Sequence, residues 1–198
     1  MHDVGIYENL ILGIHFLLLK KCKIFDEKTI VRCYTGRSMR INVRKHERRG
    51  YQSIKMSNIL EKQFLKQRND FEKSCVERDK KYHFPQGVIF ETDIAYAKDK
   101  NKAHRLDRYR PKGKEAQILP VIINVHGGGL LLGNKEFNKY FCALLSKKGF
   151  LVYSMEYRLI PDCTFFDQLR DIFLAMDFVK EYAAADGGDL SHVYLVGD

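Results

Sequence analysis

Seven residues, Leu119 to Val125, are almost wholly apolar and run without a break into His126-Gly127-Gly128-Gly129. An apolar run of that length fits a strand covered on both faces, and so internal to a sheet. Three consecutive glycines cost backbone entropy and offer nothing to pack, so the position calls for bare backbone. An oxyanion hole has that need, because its N–H groups must come within hydrogen-bond distance of the oxygen that gains charge when an ester carbonyl turns tetrahedral. A dinucleotide-binding loop fits less well: G-x-G-x-x-G counted from Gly127 puts Leu132 where its last glycine belongs. A plain flexible turn leaves Gly133 and the strand–loop–helix context unexplained.

The flanking pattern alternates. Residues 56–81 place Ile59, Leu60, Phe64, Phe71 and Cys75 at roughly helical intervals among charges, as in an amphipathic surface helix. Pro85 and Gly87 end it. Residues 88–97 and 104–110 read as two strands around a polar turn at 98–102, a β-hairpin. After the glycines, residues 137–148 put Phe137, Phe141, Leu144 and Leu145 on one helical face with Gly149 as the stop. Residues 150–155 form another buried strand. Residues 165–185 set Leu169, Ile172, Phe173, Met176 and Val179 at helical spacing, and 193–196 form a last strand. Strand, helix, strand, helix, strand predicts an α/β fold with a mostly parallel sheet.

Charge and cysteine content restrict partners and compartment. Of the net +9, residues 1–55 hold 12 basic and 5 acidic side chains, and the remainder hold 22 and 20. The basic cluster Arg44, Lys45, His46, Arg48, Arg49 has little apolar material to bury, so 1–55 reads as a solvated extension. With Met56 as the true start it would instead be translated leader. A nucleic-acid arm is the third reading and the least supported, so nucleic acid is not an expected partner. Five cysteines without a C-x-x-C pair or a histidine at ligand spacing point to a reducing compartment and no metal. The apolar run at 10–19 falls short of the roughly 20 residues a membrane helix needs, and acidic residues precede it where a secretory signal is basic. A cytoplasmic protein without a membrane partner is expected.

Several motifs in order resemble one family. His126 to Gly129 matches H-G-G-G; Tyr157-Arg158-Leu159-Ile160-Pro161-Asp162 is similar to Y-R-L-A-P-E; Asp171 matches an acidic position in the following helix; Val196-Gly197-Asp198 is similar to the lead into G-D-S-A-G; Leu106-Asp107 with Tyr109-Arg110-Pro111 resembles L-D-x-Y-x-P. These are the marks of the hormone-sensitive-lipase-like α/β-hydrolases, the bacterial carboxylesterases with an HGGG motif. The resemblance covers about residues 87–198, more weakly from Met56. It implies oxyanion N–H groups from Gly128 and Gly129 with Gly127 beside them, a loop-shaping rather than basic role for His126, and bracing by Tyr157 and Arg158. Asp171 is a candidate partner for Arg158, a helix-surface carboxylate being the alternative. Phe165-Phe166 for Phe-Pro, Asp162 for Glu and Leu130 for an aromatic are departures that bear on pocket shape. The implied substrate is a small-molecule ester, with no metal or organic cofactor.

Gly197 and Asp198 are the first two positions of the G-x-S-x-G elbow, whose serine, with the acid and histidine after it, would lie beyond Asp198. The expectation is therefore the N-terminal portion of an α/β-hydrolase fold, incomplete at its C-terminus: a basic extension at 1–55, an amphipathic helix region at 56–86, and the first half of the hydrolase domain at 87–198. Loss of nucleophile and base costs on the order of a million-fold in rate, so no esterase turnover is expected of the chain as it stands. A non-catalytic binding module is the alternative. The last strand should present an apolar sheet edge that invites self-association.

Overall fold

The computed structural model describes residues 58–198 together with two three-residue strands, β1 (Ile30–Arg32) and β2 (Ser38–Arg40), which pair antiparallel. The rest of the basic extension, with its Arg44–Arg49 cluster, lies outside the described residues. Helix α1 spans Asn58–Asp79. Then come β3 (Val88–Ala95), β4 (Arg105–Pro111), β5 (Leu119–Val125), α2 (Lys139–Lys147) after a 3₁₀ turn at Lys135–Asn138, β6 (Leu151–Met155), α3 (Phe165–Tyr182) and β7 (Gly188–Gly197). Among the described residues no helix is long and apolar enough to cross a membrane.

The strands make one five-stranded sheet in the order β3-β4-β6-β5-β7. β3 and β4 form the expected hairpin, β4 runs antiparallel to β6, and β5 lies parallel to both β6 and β7. Alternate residues of β5 feed two cores. Val121 and Ile123 join Leu151, Tyr153 and Met155 under Ala175, Met176 and Val179 of α3. Ile122 joins Val152, Tyr109 and Val196 under Cys142 and Ala143 of α2. The period of two and a cover on each face explain why neither β5 nor β6 carries a polar stripe.

Departures from the expected elements have local causes. α1 has the expected bounds to within two residues, and its Phe71 packs on Phe137 at 5.2 Å between ring centroids, but Ile59 and Leu60 are exposed. β7 begins five residues earlier than its apolar core, because Asp189 already pairs with Pro120 while Val193 pairs with Val121, leaving 190–192 bulged between. The Asp189 carboxylate folds back within that bulge to accept from the Ser191 N–H at 2.8 Å.

Candidate active site

Parallel register decides where the site lies. Val125 of β5 is level with Met155 of β6 and with Gly197 of β7, so the three following segments, His126 onward, Glu156 onward and Asp198, emerge side by side. The crevice beyond the C-terminal ends of parallel strands is where such sheets bind ligands.

The glycine loop starts there and folds tightly on itself, the Gly128 carbonyl accepting from the N–H groups of Leu131 and Leu132 at 3.2 and 3.0 Å. Gly128 has φ +124°, and a Cβ there would lie 2.1 Å from the Leu132 carbonyl oxygen. No other residue fits that backbone. Two further carbonyls are held from outside: Leu130 O accepts from Ile160 N at 3.0 Å and Gln168 Nε2 at 2.9 Å, and Leu131 O accepts from Arg68 Nε of α1 at 2.9 Å. The N–H groups of Gly128 and Gly129 have no hydrogen-bond acceptor among the described residues. Gly127 differs. Its N–H donates to Asp198 Oδ1 at 2.8 Å, an oxygen that also accepts from Asn138 Nδ2 at 3.1 Å. In this structure the Gly127 N–H therefore points to a carboxylate, unlike those of Gly128 and Gly129.

His126 is buried, with Nε2 3.0 Å from Glu156 Oε1 and Nδ1 2.9 Å from the Gly127 carbonyl. Both ring nitrogens thus face oxygens, and neither faces open space where a nucleophile could present its proton. The Tyr157 ring stacks on His126 at 4.3 Å, and its hydroxyl donates to the His126 carbonyl at 2.8 Å. Burial, with Glu156 nearby, pushes the Tyr157 phenol up to about 12, which keeps that donor protonated. Arg158 resolves the alternatives for Asp171: its Nε and Nη2 reach the carboxylate at 2.9 and 2.7 Å, its backbone N–H adds a bond at 3.0 Å, and His104 Nε2 lies 3.0 Å away. Asp171 is wholly buried and is no surface carboxylate. Hydrogen bonding to Asp171 raises the Arg158 pKa above its ordinary value despite partial burial.

A cleft of about 270 Å³ opens between this loop and α3, lined by Gly129, Leu130, Tyr157, Phe165, Ile172 and Asp198 among others. One of the departures from the family pattern, Leu130, is on its wall, as is Phe165, the residue before a second departure. Glu156, Gln168 and Arg68 carry contacts to the loop that sequence reading missed; nothing marks them in the sequence, since their partners are mostly backbone atoms brought near by the fold.

Among the described residues serine, histidine and aspartate meet at one place, on the exposed bulge of β7. There Ser191 Oγ and Asp189 Oδ2 both approach the same ring nitrogen of His192, Nδ1, at 2.9 and 2.7 Å. A catalytic relay needs the base to face the serine with one nitrogen and the acid with the other. This cluster is a turn, not a triad.

A mixed sheet in this order, with a glycine loop at the end of its internal strand and a Tyr-Arg segment beneath it, defines an α/β-hydrolase. The BD-FAE family pattern matches residues 106–198, and over that part the chain is similar to the hormone-sensitive-lipase-like carboxylesterases of that fold. The isoprenylcysteine alpha-carbonyl methylesterase ICME of Arabidopsis thaliana is 31% identical over 94 residues, 48% of this chain and 22% of its own length. Esterase B from Lactobacillus rhamnosis superposes with a TM-score of 0.62 at 30% identity, over 70% of this chain and 45% of that one. An esterase from Pyrobaculum calidifontis gives 0.57 at 26% identity, over 75% and 45%. The chain spans about a fifth of the length of the plant relative and just under half of the two solved esterases.

Proposed function

We propose that this chain supplies the oxyanion side of a carboxylic ester hydrolase that works by acyl transfer through a serine. The asymmetry of the glycine loop carries this reading: the carbonyls of Gly128, Leu130 and Leu131 accept hydrogen bonds, whereas the N–H groups of Gly128 and Gly129 have no acceptor among the described residues, and Gly129 lines the cleft. Each such donor at a developing oxyanion is worth about 10²–10³ in kcat. Gly197 and Asp198 form the lead-in to the nucleophile elbow. Since Gly197 is level with Val125, a serine following Asp198 would emerge beside the loop.

The chemistry is the general one for such sites. The serine oxygen attacks the ester carbonyl as the histidine base takes its proton, the carbonyl electron pair becomes the oxyanion, and collapse expels the alcohol with that proton. Water then repeats the sequence on the acyl-serine. No metal or organic cofactor takes part. Residues 1–198 contain no G-x-S-x-G, and His126 is engaged on both nitrogens, so the chain alone turns over no ester. Leu130, Phe165 and Ile172 suit an apolar group on a small-molecule ester, and the odd cysteine count suits the cytoplasm. The test is to read the codons after that of Asp198: Ser-x-Gly in the same or a neighbouring frame, with aspartate and histidine codons downstream, supports the reading, and their absence from every frame refutes it.

A further inference from the structure

Both oxygens of one carboxylate grip the glycine loop. Glu156 Oε1 lies 3.0 Å from His126 Nε2, at the start of the loop, and Oε2 accepts from the Lys135 backbone N–H at 3.0 Å, where the chain leaves the loop for α2. Glu156 follows the last residue of β6, a strand with all five residues buried, so the carboxylate is mounted on a rigid element. Lys135 is fixed in turn: its carbonyl accepts from Ser154 Oγ at 3.0 Å, and its ammonium pairs with Asp107 and Asp93 at 3.0 and 3.1 Å.

We infer that Glu156 is a positioning residue that closes the glycine loop at both ends and thereby fixes the direction of the Gly128 and Gly129 N–H groups. Its functional meaning rests on the oxyanion reading above; the closure itself does not. His126 and Lys135 lie at opposite ends of the loop, and contact with either alone leaves the other end to fray. An acceptor of the right length on β6 joins them.

The chemistry of the two ends makes a specific demand on substitutions. In Glu156→Gln one oxygen can still accept from the Lys135 N–H. The new amide N–H can donate to His126 Nε2 once the ring proton sits on Nδ1, where the Gly127 carbonyl 2.9 Å away accepts it. Glutamine therefore keeps both ends closed by a change of tautomer. Glu156→Asp is one methylene short of spanning both, and Glu156→Ala reaches neither.

Amide hydrogen exchange on the full chain and these three variants decides the matter. The Leu131 and Leu132 amides, which donate to Gly128 O, report loop closure; the Ile123 and Tyr153 amides of β5 and β6 report the sheet. Loss of a part-buried hydrogen bond is expected to speed exchange at the loop amides about tenfold or more in E156A and E156D, with the sheet amides unchanged and E156Q within a few-fold of wild type. Loop exchange in E156A equal to wild type, or E156Q and E156D behaving alike, overturns the inference. If E156A does not fold, the contrast between E156Q and E156D is decisive by itself. A merely stabilising carboxylate would instead move loop and sheet amides together in all three variants. Because exchange is read without any ester, the expected pattern alongside codons that encode no serine nucleophile would leave the clamp standing and remove only the oxyanion role.

Discussion

Gly128 and Gly129 are neighbours with positive φ, and they tolerate a methyl group differently. At Gly128 the added carbon meets backbone, the Leu132 carbonyl, whereas at Gly129 (φ +62°) it meets open space. A left-handed backbone costs an L-residue about 1–2 kcal/mol without a clash. G129A is therefore expected to lower stability by about that amount and leave the loop in place. G128A should cost more, because the loop must also move. Thermal unfolding of the two variants checks this, and equal shifts would mean that the turn at Gly128 is looser than described. The residues legible in the sequence, His126 to Gly129, Tyr157 and Arg158, share a property: each is an unusual choice at its place, and so advertises a special demand. Glu156 and Gln168 are ordinary polar residues near the end of a strand and in a helix. Their importance comes from which atoms of the loop the fold sets against them.

At the level of elements the hydrophobic pattern located both crossover helices and the apolar part of the inward face of α3, but not its polar members. Of Leu169, Ile172, Phe173, Met176 and Val179, set at helical spacing, Met176 and Val179 are buried, and Ile172 and Phe173 pack against the core. The face that is buried runs through Gln168, Asp171, Ala175 and Val179, because Asp171 and Gln168 must reach Arg158 and the glycine loop. A polar demand of the site thus adds Gln168 and Asp171 to the buried face, and no periodicity count can anticipate them. α3 starts at Phe165, as the pattern predicts, and Thr164 caps it, its Oγ accepting from Asp167 N at 3.2 Å while the Asp167 carboxylate accepts from Thr164 N at 2.9 Å. Side-chain and backbone hydrogen bonds from Thr164 hold the Asp167 carboxyl below the usual carboxylate range. A depressed acid adds stability above its unfolded pKa of about 3.9 and loses it as pH falls through the lower folded value. T164A should accordingly cost about 1 kcal/mol at neutral pH and less at pH ~2, below the unfolded carboxyl range, in denaturant titrations at both values. A penalty that does not change with pH would remove Asp167 from the cap.

For the molecule as a whole, register does most of the work that function needs. Three parallel strands ending level bring His126, Glu156 and Asp198 together, although they are far apart in the chain. That juxtaposition could be inferred from the sequence only through the resemblance. The same sheet places β7 at its edge, paired among the described residues with β5 alone, and an unpaired edge invites another chain. Concentration-dependent association of residues 1–198 in sedimentation velocity is the expected result; a monomer with a sharp, reversible thermal transition would count against it. The central claim is that the loop is half of an esterase site whose nucleophile follows Asp198. Its most direct test is hydrolysis of p-nitrophenyl butyrate by residues 1–198 and by the protein extended through the codons beyond. Turnover by the extended protein with only the buffer rate for 1–198 is the predicted result, and turnover by 1–198 itself, or an inert extended protein that carries the complete G-x-S-x-G elbow, would contradict it.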